Sequence, residues 1–160
     1  EGNIMFSDYN LNDIEVDSIY SKICCVLQEN ILFNTSIKEN LLYGKPDASD
    51  SEIEESCRKA YILDYIKSLP EGFNTIIGEK GVKFSGGQRQ RIVLARGFLS
   101  DVEMYVFDEA TSALDQYSES IIHDTIKAIS SDKIIVIVSH RESSLKLCNR
   151  KINLDKKCRL

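Results

Sequence analysis

A chain of 160 residues, with 42% apolar and 28% charged side chains, has the length and composition of one globular domain with a buried core. Its net charge of −5 removes the basic surface that nucleic-acid binding needs, so no nucleic-acid partner is expected. No apolar run reaches the ~20 residues of a bilayer span, so any membrane part is expected from another segment or chain. The five cysteines (Cys24, Cys25, Cys57, Cys148 and Cys158) form no CxxC pair and have no histidine at ligand spacing. They read as reduced thiols of a cytosolic protein, with Cys24 and Cys25 as core residues, and not as a zinc site.

The chain opens on Glu1-Gly2-Asn3, without methionine, directly before a strand-like run from Asn3 to Ser7. That pattern suggests a chain cut inside a domain. Asp8-Tyr9-Asn10 and Asn12-Asp13 are turn-forming clusters. Ile23 to Leu27 (ICCVL) is apolar throughout, as in a strand buried on both faces. It gives way to Gln28-Glu29-Asn30 at the strand's carboxyl end, the edge where open α/β sheets bind ligands. On its own, Gln28 is an ordinary loop residue.

From residue 31 to residue 83 the spacing is helical. Ser36 to Leu42 reads as a short helix ended near Gly44 and Pro46. Ser49 and Glu52 have capping-box spacing and open a helix to about Tyr61, with Ile53, Cys57 and Ala60-Tyr61 on one face. Ile62 to Leu69 forms a second short helix stopped by Pro70-Glu71-Gly72, and Asn74 to Gly81 is a loop. This block is expected to be a helical lobe inserted into an α/β domain.

Ser85-Gly86-Gly87-Gln88 is a glycine-rich turn before a helix reaching about Phe98. Backbone N–H groups at such a turn suit an anion, while Ser85 alone is equally an N-cap. Gly86 and Gly87 allow either positive φ or close approach. Arg89 and Arg91 read as solvent charges or ion pairs.

Met104 to Phe107 is a buried-type strand ending in Asp108-Glu109, two carboxylates suited to holding a metal and activating water. A helix follows from Tyr117 to Ile129, then a central strand, Lys133 to Val138 (KIIVIV), ending in Ser139-His140. The result is a βαβ unit of a parallel sheet, gathering Asp108, Glu109 and His140 at one edge, with Gln28 if its strand is parallel. His123 reads as a structural histidine. Beyond it, Ser143 to Cys148 is a short helix candidate and Lys151 to Leu154 a strand-like run.

These motifs, in this order, resemble the nucleotide-binding domain of exporter-type ABC transporters from about Gly2 to about Asp155. FSGGQ (Phe84 to Gln88) resembles the signature sequence, with Phe84 where leucine is usual. MYVFDE resembles the Walker B strand and catalytic glutamate, SALD (Ser112 to Asp115) the D-loop, His140 the H-loop and Gln28 the Q-loop. SIKENLLYG and SLPEGFNT resemble exporter cassettes. Asp101-Val102 departs from a common Asn-Pro turn, and Gln28 lacks the usual following proline.

The resemblance implies a P-loop NTPase-like α/β fold, with a parallel-sheet core and an inserted helical subdomain, truncated at its N-terminus. Residues 1–28 would lead to the Q-loop, 29–98 would form the helical subdomain and signature helix, and 99–160 the remaining core. It also implies ATP as substrate and Mg²⁺ as cofactor, the metal held by Asp108 and Gln28. Glu109 would polarise the attacking water and His140 would contact the γ-phosphate. Ser85, Gly86, Gly87 and Gln88 would grip the ATP of an opposing domain, and Asp115 would couple the two sites. The implied partners are a second nucleotide-binding domain and the transporter's membrane-spanning domains, at the cytoplasmic face of a membrane.

The P-loop, G-x-x-x-x-G-K-[ST], is absent from these residues. Gly44-Lys45-Pro46 lacks both the first glycine and the following Ser/Thr. Three readings remain. One is an ATP-hydrolysing exporter domain. The second is a degenerate cassette lending its signature motif to a partner's site. The third, an ABC ATPase of DNA repair or translation, is disfavoured by the exporter-like flanks and the missing basic surface. Intact Glu109 and His140 favour the first.

Overall fold

The computed structural model describes residues 3, 5–6 and 8–153. Two short strands, β1 (Met5–Phe6) and β2 (Tyr9–Asn10), pair antiparallel. Tyr9 and Asn10, expected in a turn, thus lie in a strand. Asn10 still does turn chemistry, since its Oδ1 accepts the Asn12 N–H at 3.0 Å. Of the expected Asn3–Ser7 strand, Ile4 and Ser7 lie outside the described residues. A five-residue helix, α1 (Val16–Tyr20), leads into β3 (Ile23–Val26).

The helical lobe follows. Helices α2 (Ile37–Leu42) and α3 (Asp50–Lys59) each begin with a complete capping box, Ser36 with Glu39 and Ser49 with Glu52. The second helix ends two residues before the expected Tyr61, which turns to a φ of 54°. Helix α4 (Leu63–Ser68) and two 3₁₀ turns, Gly72–Asn74 and Glu79–Gly81, complete the lobe. Asn40 is fully buried and pins the loop entering α2. It accepts the Phe33 N–H at 2.8 Å and donates to the Phe33 and Ser36 carbonyls at 3.0 Å. Gly44 sits where a Cβ would meet the Arg96 carbonyl oxygen at 2.3 Å, and Lys45 pairs with Glu52 at 2.5 Å. That Gly-Lys pair is accounted for by packing and an ion pair.

The long helix α5 (Gly86–Leu99) packs against α2 and α3 and also against β3. Gly97 permits the second contact, since a Cβ there would lie 2.9 Å from Val26 Cγ2. Strand β4 (Met104–Asp108), helix α6 (Gln116–Ile129) and strand β5 (Ile134–Val138) form the expected strand–helix–strand unit. The sheet is parallel with order β3-β4-β5, and Val26, Phe107 and Ile137 lie side by side.

The register corrects two expectations. Among the described residues β4 is central and β5 lies at the edge. The face carrying Val26, Phe107 and Ile137 meets the core, while on the other face Ile134 and Val138 are 59% and 52% exposed and Cys25 is exposed. An all-apolar run does not reveal which face is covered, so neither ICCVL nor KIIVIV is buried on both sides here. Cys25 is therefore not a core residue. Cys24 is half-buried and Cys57 fully buried, and burial pushes the Cys57 thiol up to about 12. Cys158 lies outside the described residues. The final helix, α7 (Glu142–Leu145), is shorter than expected, and Lys151 to Asn153 form no strand; Leu154 lies outside the described residues.

Candidate functional site

The parallel register builds the site. Asp108 closes β4 opposite Val138 of β5, so the next residues of both strands emerge at the same sheet edge. Glu109 donates its N–H to the Val138 carbonyl at 3.0 Å and takes a left-handed φ of 49°, sharply redirecting the chain after the strand. From that turn its carboxylate reaches across to the end of β5. His140 Nδ1 lies 2.7 Å from Glu109 Oε1, and the His140 N–H donates to the same oxygen at 3.2 Å. The glutamate side chain is 14% exposed and the imidazole 82%, so the carboxylate is sheltered and the ring faces outward. Gln28 lies two residues beyond Val26, which is level with Phe107, and is exposed at that same edge.

Asp108 is half-buried beside this pair. Among the described residues no cluster of three or more His, Cys, Asp or Glu side chains can hold a metal by itself. One carboxylate and one amide oxygen at a strand edge nevertheless suit Mg²⁺ bound with a nucleotide, because that ion keeps several waters and takes most remaining ligands from phosphates.

The glycine turn has a different neighbour. Ser85 is the N-cap of α5: its Oγ accepts the Gln88 N–H at 3.2 Å, while Gln88 Oε1 accepts the Ser85 N–H at 2.8 Å. The Ser85 hydroxyl hydrogen and the Gly86 and Gly87 N–H groups, in the helix's first turn, remain as donors at its positive end. Neither glycine has positive φ. Close approach is their reason, since a Cβ on Gly87 would lie 3.1 Å from the Ala113 carbonyl oxygen. The turn therefore leans on the loop that joins β4 to α6.

Asp115 ends that loop as the N-cap of α6. Its carboxylate accepts the Ser118 N–H at 2.9 Å and the Ser118 hydroxyl at 2.7 Å, and these bonds hold it below the usual carboxylate range. Arg91 donates to the Ser118 hydroxyl at 3.0 Å and stands 6.0 Å over the Tyr61 ring. Arg89 donates to the Phe84 carbonyl at 2.6 Å and the Gly81 carbonyl at 3.3 Å. Both arginines organise loops and side chains, and among the described residues neither forms an ion pair.

Behind the site lies a polar cluster that the sequence reading missed. Glu119 Oε1 accepts from Arg141 at 3.0 Å, Thr111 Oγ1 at 3.2 Å and Ser143 Oγ at 3.3 Å. Arg141 also donates to the Thr111 carbonyl at 3.2 Å and the Ser112 carbonyl at 3.1 Å. The residue after His140 is thus tied to the loop after Glu109. His123 closes the cluster, 3.3 Å from Ser144 Oγ and 3.7 Å from Glu119, with its pKa lowered chiefly by burial, as befits a structural histidine. Gln90 was missed as well, although one signal was present: it shares the buried stripe of Val93, Leu94 and Gly97 at helical spacing, where an amide must find partners.

Residues 1–112 match the family model described as ABC transporter. Putative multidrug export ATP-binding/permease proteins of Staphylococcus aureus strains NCTC 8325 / PS 47 and COL are each 44% identical over 144 residues, 90% of this chain and 25% of theirs. The chain thus spans about a quarter of the length of those curated relatives. A solved structure of a bacterial Atm1-family ABC exporter with ATP bound aligns with a TM-score of 0.88 at 35% identity, covering 91% of this chain and 26% of that one. The matched sequence and the shared parallel-sheet architecture lead to one conclusion: the chain belongs to the ABC transporter family, as part of an exporter-type nucleotide-binding domain.

Proposed function

We propose that this chain belongs to an ATP-hydrolysing cassette that pairs with a second cassette on ATP and transmits the pairing to membrane-spanning segments, at the cytoplasmic face of a membrane. The division into 1–28, 29–98 and 99–160 carries over to this reading. The observation that supports it best is the Glu109–His140 contact of 2.7 Å at the sheet edge that also carries Asp108. No helix among the described residues is long and apolar enough to cross a membrane.

In this reading the sheltered Glu109 carboxylate orients the attacking water and draws its proton. His140 holds Glu109 through Nδ1 and turns Nε2 toward the γ-phosphate. The imidazole has one nitrogen for each contact, so one ring serves both. Asp108 and Gln28 would hold Mg²⁺, which when bound would neutralise phosphate charge. The Ser85 hydroxyl and the Gly86 and Gly87 N–H groups donate to the ATP of the opposing cassette, with Gln88 fixing Ser85 through the capping box. The helix dipole adds ~0.3–1 kcal/mol to such an anion contact. Asp115 sits on the loop against which those glycines lean, between the two ATP-facing surfaces.

The test is Glu109→Gln in a transporter carrying this chain. ATP should still bind, while turnover should drop about 10²–10⁴-fold, the range for losing a positioned base. Turnover at the wild-type rate would overturn the reading. A wild-type assembly that binds ATP but does not turn it over would favour the degenerate cassette instead.

A further inference from the structure

Gln90 is fully buried, at 0% exposure, on a helix whose other buried residues are all apolar or glycine. Its amide joins two points of the loop between β4 and α6. Nε2 donates to the Glu109 carbonyl at 3.3 Å, and Oε1 accepts the Ala113 N–H at 2.9 Å. Glu109 holds a φ of 49°, a conformation that a side chain with a Cβ keeps only where its surroundings enforce it. Its N–H is fixed by the Val138 carbonyl at 3.0 Å, so β5 secures one side of the residue, and Gln90 together with the Ser112 N–H, at 3.0 Å from the Glu109 carbonyl, secures the other. The start of the same helix, at Gly87, rests on the Ala113 carbonyl.

We propose that Gln90 is a positioning residue for Glu109. It holds the left-handed backbone from which the carboxylate reaches His140, and it ties that turn to the helix that begins at the glycine motif. A shift of the α5 N-terminus is therefore relayed to Glu109 through two hydrogen bonds and a helical turn. Neither bond is replaceable by water at so buried a position, so losing the amide leaves the Ala113 N–H without a partner and the Glu109 carbonyl with the Ser112 N–H alone, at 3.0 Å. The consequence for turnover rests on the reading of Glu109 as the water-orienting carboxylate. The brace itself does not.

The experiment measures site-resolved amide exchange and backbone carbonyl ¹³C shifts by NMR in the full chain, for Gln90→Met and Gln90→Glu. In Gln90→Met, the Ala113 amide should exchange about 5–30-fold faster, as expected from losing one hydrogen bond, and the Glu109 carbonyl resonance, which loses a donor, should move, while Leu94 in the helix core is unchanged. Gln90→Glu keeps the acceptor and loses the donor, so Ala113 should exchange at the wild-type rate while the Glu109 carbonyl resonance moves as it does in Gln90→Met. Unchanged rates in Gln90→Met overturn the proposal. If Gln90→Met loosens the whole domain, Gln90→Glu decides: accelerated exchange at Ala113, or an unmoved Glu109 carbonyl resonance, overturns it. In a transporter carrying this chain, Gln90→Met should lower kcat about 10–100-fold with KM for ATP nearly unchanged, the mark of a misplaced catalytic group. A raised KM at unchanged kcat also overturns it. A wild-type assembly without turnover would sink the ATPase reading and leave the exchange result standing.

Discussion

Replacing Arg141 with methionine removes the cation from the cluster behind the site and keeps most of the side chain's packing. Glu119 then remains only 11% exposed with its charge facing a neutral residue, and the Thr111 and Ser112 carbonyls lose a donor. Deleting one partner of a buried ion pair costs ~3–5 kcal/mol. Two features reduce that figure. Thr111 and Ser143 still donate to Glu119, at 3.2 and 3.3 Å, and the Arg141 side chain is 31% exposed, so water returns some solvation. The expected loss is about 2–3 kcal/mol, well above the ~0.5 kcal/mol of an ordinary surface change. Urea unfolding followed by circular dichroism, with m unchanged, measures it.

The same variant carries a pH signature through His123. Its pKa is lowered first by burial, and Arg141 lowers it further, while Glu119 and Asp124 raise it. A histidine with a depressed folded pKa binds protons more readily in the unfolded chain, so the wild type loses stability as pH falls through the usual histidine range near ~6.5. Without Arg141 the folded pKa rises. His123 then takes a proton and partly replaces the lost cation beside Glu119. The deficit of Arg141→Met should therefore be largest at about pH 8 and shrink toward about pH 6. A loss below ~0.5 kcal/mol, or a deficit that does not change with pH, would refute the reasoning.

Other consequences are quickly checked. A maleimide should label exposed Cys25 promptly, whereas buried Cys57, its thiol pushed up to about 12, should react only on unfolding; equal native rates would contradict the packing. The 160-residue chain by itself, whose sequence has no P-loop, should bind MgATP weakly and hydrolyse it negligibly; a micromolar dissociation constant by calorimetry would overturn that expectation. Gly97→Ala should destabilise the chain despite the better helix propensity of alanine. The overpacking of ~1–3 kcal/mol at Val26 Cγ2 outweighs a propensity gain of ~1 kcal/mol. A stabilised variant would show that the α5–β3 contact is looser than its 2.9 Å approach implies.

Local chemistry made much of this structure legible. Ser36 with Glu39 and Ser49 with Glu52 announce two helix starts by spacing alone, and both capping boxes form. The apolar strands ending in Asp108-Glu109 and Ser139-His140 place their polar residues at one edge because parallel strands share a direction, and the register brings Glu109 to His140. Long-range pairing was not legible. Gln90 meets Glu109 across 19 residues and Arg141 meets Glu119 across 22, and nothing local announces either contact. The apolar strands misled for a related reason: Ile134 and Ile135 are identical as letters, but only the second faces the core. Tyr9 and Asn10 form a strand because Phe6 and Met5 lie opposite them, a cross-strand effect that turn propensity does not contain.

The central claim is that Glu109 and His140 act as one unit on the attacking water. A double-mutant cycle on ATP turnover, with Glu109→Gln, His140→Ala and both together in a transporter carrying this chain, measures it. Residues that act as a unit are strongly non-additive, so the double variant should be about as slow as Glu109→Gln alone. If instead the two losses multiply, the 2.7 Å contact is not the working arrangement of the site.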